Sequence, residues 1–224
     1  KTTFYKDVDL IALSERGEGQ EIHRYGAGEL GKFTYDVSSA GDFNGDGIGD
    51  YIVSSTLADS YVNPKVGVIY VIFGNGNNTM PSQLDLSAFV SSESTGFRIF
   101  GANIYDYTGY SVDCIGDFNA DGFDDLAVGS LGVGNIGYAG VNVEVSGACS
   151  IVFGWDTSSG STLYDVYLDK NQSDQDDGIT SPKVITLYGN KSLVLGLGKR
   201  VSALGDINHD GIPDFAIGTG YVGF

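Results

Sequence analysis

Three times in 224 residues the chain repeats one oxygen-rich loop, Asp-x-Asn-x-Asp-Gly-x-x-Asp, preceded by Gly and followed by a short apolar run. The copies are Gly-Asp-Phe-Asn-Gly-Asp-Gly-Ile-Gly-Asp at 41–50, Gly-Asp-Phe-Asn-Ala-Asp-Gly-Phe-Asp-Asp at 116–125, and Gly-Asp-Ile-Asn-His-Asp-Gly-Ile-Pro-Asp at 205–214. The apolar runs are Tyr-Ile-Val-Ser-Ser, Leu-Ala-Val-Gly-Ser and Phe-Ala-Ile-Gly-Thr. A chain that repeats at this spacing builds repeated units, not one mixed core.

The flanks repeat too. Val-Ile-Tyr-Val-Ile-Phe-Gly at 68–74 matches Ala-Cys-Ser-Ile-Val-Phe-Gly at 148–154, and Arg-Tyr-Gly, Ile-Phe-Gly and Leu-Tyr-Gly precede the three loops at similar distances. Val-Asp-Leu-Ile-Ala-Leu at 8–13 echoes Leu-Asp-Leu-Ser-Ala-Phe at 84–89. The period is 75 residues from Gly41 to Gly116 and 89 from Gly116 to Gly205. Polar inserts around 134–147 and 158–178 fill the longer interval. Each repeat reads as four short strands rich in Val, Ile, Tyr and Phe, divided by Gly/Asp/Asn turns. No sustained 3.6-residue period predicts helix. A four-stranded unit cannot bury both faces alone, but several stacked radially can, which predicts an all-β propeller.

The loops set the chemistry. Asp42, Asn44, Asp46 and Asp50 in the first, Asp117, Asn119, Asp121 and Asp125 in the second, and Asp206, Asn208, Asp210 and Asp214 in the third place oxygens at alternate positions of a tight turn. Gly47, Gly122 and Gly211 supply the positive φ that turns the chain after the third ligand, and the carbonyls of Ile48, Phe123 and Ile212 are expected as a further ligand. Three carboxylates so close repel unless a cation lies between them. All-oxygen ligation by a flexible loop selects Ca²⁺ over Mg²⁺, so three Ca²⁺ sites are predicted. An EF-hand loop starts the same way, but it needs Glu at its twelfth position and flanking helices. Here Val53, Val128 and Ile217 stand there, each inside a strand-like run.

The formal charge of −17, from 29 acidic against 12 basic residues, argues against nucleic acid or an anionic membrane as the main partner. Three divalent cations would offset six of those charges. The longest apolar run, 66–73, is strand-sized, so no membrane span is expected in this segment. Starting at Lys1 and not at Met, the chain reads as a processed protein or a piece of one.

On these residues the chain resembles the FG-GAP repeat, which builds the N-terminal β-propeller of integrin α subunits and related extracellular propellers. The second repeat fits best, with Tyr-Thr-Gly-Tyr-Ser-Val at 107–112 before its loop. The first departs at Thr34, the third at Lys199-Arg200, and the third lacks the closing Phe-Gly strand. The resemblance covers roughly residues 8–224, in repeats at about 8–75, 84–155 and 163–224. It implies about three blades of a larger, seven-bladed ring, whose remaining blades lie elsewhere. It also implies calcium loops on the lower face and partners on the upper. The upper loops would be 27–35, 102–110 and 190–198, with 56–66 and 131–147. Tyr61, Tyr105, Tyr107 and Tyr138 become candidate contact residues, beside the plainer reading of blade-edge aromatics.

Other residues carry less. Cys114 and Cys149 read as small buried thiols on non-neighbouring strands of one blade, and His209, at a non-ligand loop position, should face solvent. Asn77, Asn171 and Asn190 head Asn-x-Ser/Thr sequons in predicted loops, compatible with N-glycosylation. No nucleophile–base pair, phosphate loop or zinc spacing is visible, so the expectation is a non-enzyme. The resemblance and the loops together lead to the expectation of an extracellular, calcium-binding adhesion or assembly module that meets protein or glycan partners at the cell surface, with a partner subunit or neighbouring blades among them. Two alternatives stand: an accessory propeller of a secreted carbohydrate- or lipid-active enzyme, and an architectural subunit of a surface filament. The acidic cluster Asp174, Asp176 and Asp177 reads as solvated.

Overall fold

A computed structural model describes residues 21–23, 35–58, 66–76, 83–133, 146–157, 165–168, 183–189 and 195–221. Those residues form thirteen strands and one 3₁₀ turn, with no α-helix among them. Two short strands, β1 (Glu21–His23) and β5 (Gln83–Asp85), pair in parallel with each other. The first blade contains β2 (Val37–Gly41), β3 (Asp50–Ser55), β4 (Val68–Ile72) and β6 (Gly96–Phe100), all antiparallel in that order. The second contains β7 (Thr108–Gly116), β8 (Asp125–Ser130), β9 (Ala148–Val152) and β11 (Val184–Tyr188), again antiparallel. In the third, β12 (Leu195–Gly205) and β13 (Asp214–Tyr221) pair antiparallel. The remaining strand, β10 (Val166–Tyr167), pairs in parallel with β6.

Side-chain alternation stacks these sheets face to face. Ile52, Ile69, Val71, Phe97 and Ile99 of the first blade share one core with Val112, Leu126, Val128 and Val152 of the second. The intervening residues Val53, Val68, Tyr70 and Ile72 turn to the opposite face, against Leu86 and Phe89. Ala127, Cys149 and Ile151 turn from the second blade to Val201, Phe215 and Ile217 of the third. Strands buried on both faces read as continuous apolar runs, which is why the 66–73 run is a strand and not a span. Among the described residues no helix is long and apolar enough to cross a membrane.

The first strands lie side by side. Val112 N–H donates to Asp36 Oδ2 at 3.0 Å, and the equivalent Val201 N–H donates to Ser111 Oγ at 3.3 Å. The Ser38 hydroxyl donates to Asp113 Oδ1 at 2.7 Å, while Asp113 Oδ2 accepts Ala203 N–H at 2.9 Å. The architecture is all-β, made of partial propeller blades, and among the described residues it does not close into a ring.

Two features differ from the repeat read in sequence. The Ile-Phe-Gly segment that opens the second sequence repeat forms the outer strand of the first blade, because β6 pairs with β4 in register from Val68–Phe100 to Ile72–Gly96. Sequence repeat and blade are therefore offset by one strand. The polar insert at 158–178 is not all loop: residues 165–168 return to the first blade's edge, where Val166–Tyr167 pair as β10.

Candidate metal centre

Each loop joins the first strand of a blade to the second, β2 to β3, β7 to β8 and β12 to β13. All three are held by one hydrogen-bond pattern. The first Asp accepts from the Gly at the sixth position: Gly47 N to Asp42 Oδ2 at 3.0 Å, Gly122 N to Asp117 Oδ2 at 2.9 Å, Gly211 N to Asp206 Oδ2 at 2.9 Å. Each Asn accepts from the amide of the third ligand, Asp46, Asp121 or Asp210, at 3.0, 3.0 and 2.9 Å. Those carboxylates in turn accept from Ile48, Phe123 and Ile212. The network ties the first, third and fifth side chains of each loop to the loop's own backbone amides, which holds the turn tight.

Positive φ recurs at two loop positions. Gly47, Gly122 and Gly211 lie at 83°, 97° and 88°, with open space where a Cβ would stand. The fourth position holds Gly45 at 73°, but Ala120 at 57° and His209 at 61°. At Gly45 a Cβ would stand 2.3 Å from the Phe123 ring of the next blade, so any larger residue there would have to displace that ring. His209 is exposed, as its non-ligand position requires.

The ninth-position Asp does more than sequence spacing foretells. Asp50 Oδ1 accepts Gly74 N–H at 2.8 Å and Oδ2 accepts Phe43 N–H at 3.0 Å; Asp125 takes Gly154 N–H and Phe118 N–H, both at 2.9 Å. Each carboxylate thus stitches its loop to the Phe-Gly that follows the third strand of the blade. The repeated Phe-Gly at 73–74 and 153–154 was the available signal. Burial raises the carboxyl pKa of both Asp50 and Asp125 to about 6, against the lowering effect of those amides. In the third loop Asp214 accepts Ile207 N–H at 3.0 Å.

Among the described residues no three His, Cys, Asp or Glu side chains gather as a preformed cage. The donor types in each loop are mixed, carboxylates with an Asn oxygen, and a carboxylate or amide oxygen that accepts one amide bond keeps lone pairs for a cation. One atom stands apart. Asp42 Oδ1 is buried with no hydrogen-bond partner. A buried orphan of that kind costs about 1–3 kcal/mol, and a cation in the loop would satisfy it. The donor chemistry and that atom fit Ca²⁺, which Asp42, Asn44, Asp46, Asp50 and the Ile48 carbonyl would hold.

The loop at 101–107, between β6 and β7, places Tyr105 and Tyr107 at φ 67° and 51°, their rings 6.2 Å apart. Asp106 between them is buried and accepts Asn103 N–H at 2.8 Å and Asn103 Nδ2 at 3.1 Å. Beside it lies a recess lined by Thr108, Ser130, Ser150, Thr186 and Tyr188. Tyr61, Tyr138, Asn77, Asn171, Asn190, Asp174, Asp176 and Asp177 lie outside the described residues. Cys149 is buried and Cys114 half-buried, both free, on β9 and β7 with β8 between them.

No protein-family model matches the chain. Over 109 residues it is 36% identical to the phosphatidylinositol-glycan-specific phospholipase D of Rattus norvegicus, a match covering 46% of this chain and 12% of that protein. Over 120 residues it is 35% identical to integrin alpha-PS5 of Drosophila melanogaster, covering 52% and 10%. Over 184 residues it is 29% identical to the Homo sapiens phosphatidylinositol-glycan-specific phospholipase D, covering 81% and 18%. The chain is thus similar both to an integrin α subunit and to these phospholipases D, and it spans less than a fifth of the length of each.

Proposed function

We propose that this chain is a calcium-stabilised segment of an extracellular β-propeller that serves adhesion or surface assembly, binding protein or glycan partners through its upper loops. The buried, unpartnered Asp42 Oδ1 inside a loop built three times carries the calcium reading. Similarity to integrin alpha-PS5 supports the adhesion reading. The ion's role is structural: it neutralises clustered carboxylates and fixes the turn between first and second strands, with affinities of about 10⁻⁴–10⁻³ M expected of extracellular modules. No catalytic role is assigned to any loop carboxylate. Tyr105 and Tyr107, both at positive φ on either side of the buried Asp106, are the contact residues best supported on the upper face.

A melt with and without EDTA tests the calcium reading. Calcium should raise the melting temperature markedly, and an unchanged melt in EDTA rules the reading out. Similarity to the phospholipases D favours a second reading, an accessory propeller of a lipid- or carbohydrate-active enzyme. A glycan array and a hydrolase screen on the same preparation separate the two.

A further inference from the structure

The loop of the second blade reaches across to the loop of the first. Asp124 occupies the eighth position of its own loop, between the Phe123 carbonyl and Asp125, and is not itself a predicted ligand. Its Oδ2 accepts the Asp42 N–H at 2.8 Å, and its own N–H donates to the Asp42 carbonyl at 3.3 Å. Asp42 is the first ligand of the neighbouring loop and carries the buried orphan Oδ1. The approach is close enough that a Cβ on Gly41 would stand 2.1 Å from Asp124 Oδ2. Around this bridge, Trp155 N–H donates to the Phe43 carbonyl at 3.2 Å, and Phe123 covers Gly45. At the next junction the equivalent residue is Pro213, which lies over Gly116 but has no N–H and no side-chain acceptor. The bridge therefore exists between the first and second loops and cannot form between the second and third.

We propose that Asp124 is a positioning residue that couples calcium binding in the second loop to calcium binding in the first. The proposal rests on the calcium reading. An ion held by Asp117, Asn119, Asp121, Asp125 and the Phe123 carbonyl fixes the backbone on either side of Asp124. That in turn fixes the acceptor and donor that set the position of Asp42, so the first loop meets its ion already ordered. Coupling of this kind is reciprocal in free energy.

Calcium titration calorimetry tests it on the 224-residue chain with the third loop disabled by Asp210→Ala, thermal melts verifying that each variant is folded. The parent should bind two ions. Asp121→Ala should abolish the second site and weaken the first about fivefold or more. Asp124→Ala should keep two ions, weaken the first site by a similar factor, and make it indifferent to Asp121→Ala. Asp124→Asn, which keeps an acceptor oxygen and the shape, should restore most of the coupling. A first site that ignores Asp124→Ala, or that still responds to Asp121→Ala in its presence, overturns the proposal alone. No binding by the parent overturns the calcium reading together with it.

Discussion

The Asp165 carboxylate grips Arg98 with both oxygens, Oδ1 to Nε at 3.1 Å and Oδ2 to Nη2 at 2.6 Å, across 67 residues of sequence. Asp165 Oδ1 also accepts the Arg98 backbone N–H at 3.0 Å and the Ser91 hydroxyl at 2.5 Å. Beside the pair, the Phe100 and Tyr167 rings stack 5.0 Å apart. Together these contacts fasten β10 to β6 and cover the edge of the first blade, which would otherwise offer unpaired backbone groups. Both side chains are mostly buried, at 16% and 14% exposure, so removing Asp165 deletes its bonds to Arg98 and Ser91 together in a site with little water to replace them. Asp165→Ala should therefore destabilise the chain by about 2 kcal/mol and speed hydrogen exchange at 96–100. Arg98→Lys, losing the bidentate fork, should cost about 1 kcal/mol.

That strap marks the limit of what the sequence makes legible. Strand alternation, turn residues and loop spacing are local, and they give the blades, the three loops and the exposed His209 directly. The offset between repeat and blade is a matter of pairing: the segment at 96–100 carries no sign of which side it will join. The return of 165–168 to the first blade depends on Asp165 meeting Arg98, and the bridge from Asp124 to Asp42 on two loops facing each other. Neither has a periodicity to betray it. Asp124 lies inside the motif, yet it differs from its counterparts Gly49 and Pro213, and that difference was the one clue available.

Gly129 tests the contact between the second and third blades. A Cβ there would stand 2.0 Å from the Gly198 carbonyl oxygen, a backbone atom on β12 that cannot swing aside. Gly129→Ala should cost about 2–3 kcal/mol through overpacking. Urea unfolding checks the cost, and exchange at 195–205 should report the loosened junction first.

Cys114 and Cys149 pack on opposite faces of the second blade, one against the first blade and the other against the third. Burial pushes the thiol of Cys114 up to about 11 and that of Cys149 up to about 12. A thiol reacts through its thiolate, so both should resist iodoacetamide at pH 8 in the folded chain and react fully in denaturant. Mass spectrometry of the two samples should read zero and two adducts; rapid native labelling would contradict the packing.

Asp50 and Asp125 should give the chain opposite pH responses with and without calcium. Both carboxyls sit at about 6 in the folded chain against 3.8 for an ordinary aspartate. The folded state thus holds these protons more tightly than the unfolded one, so the associated stability is complete below about pH 4 and lost as pH rises through about 6. In EDTA, acidification from pH 7 to 5 should therefore raise the melting temperature. The gain is about 1–2 kcal/mol per carboxyl once relaxation around each site is allowed for. Calcium needs the carboxylates ionised, so its stabilising effect should shrink over the same interval and the two melting curves converge toward pH 5. Relief of general charge repulsion acts in the same direction in EDTA, and the Asp50→Asn and Asp125→Asn variants separate the two effects. Each substitution should flatten the EDTA curve between pH 4 and 7; a slope unchanged in both variants would assign the dependence to the remaining surface carboxylates.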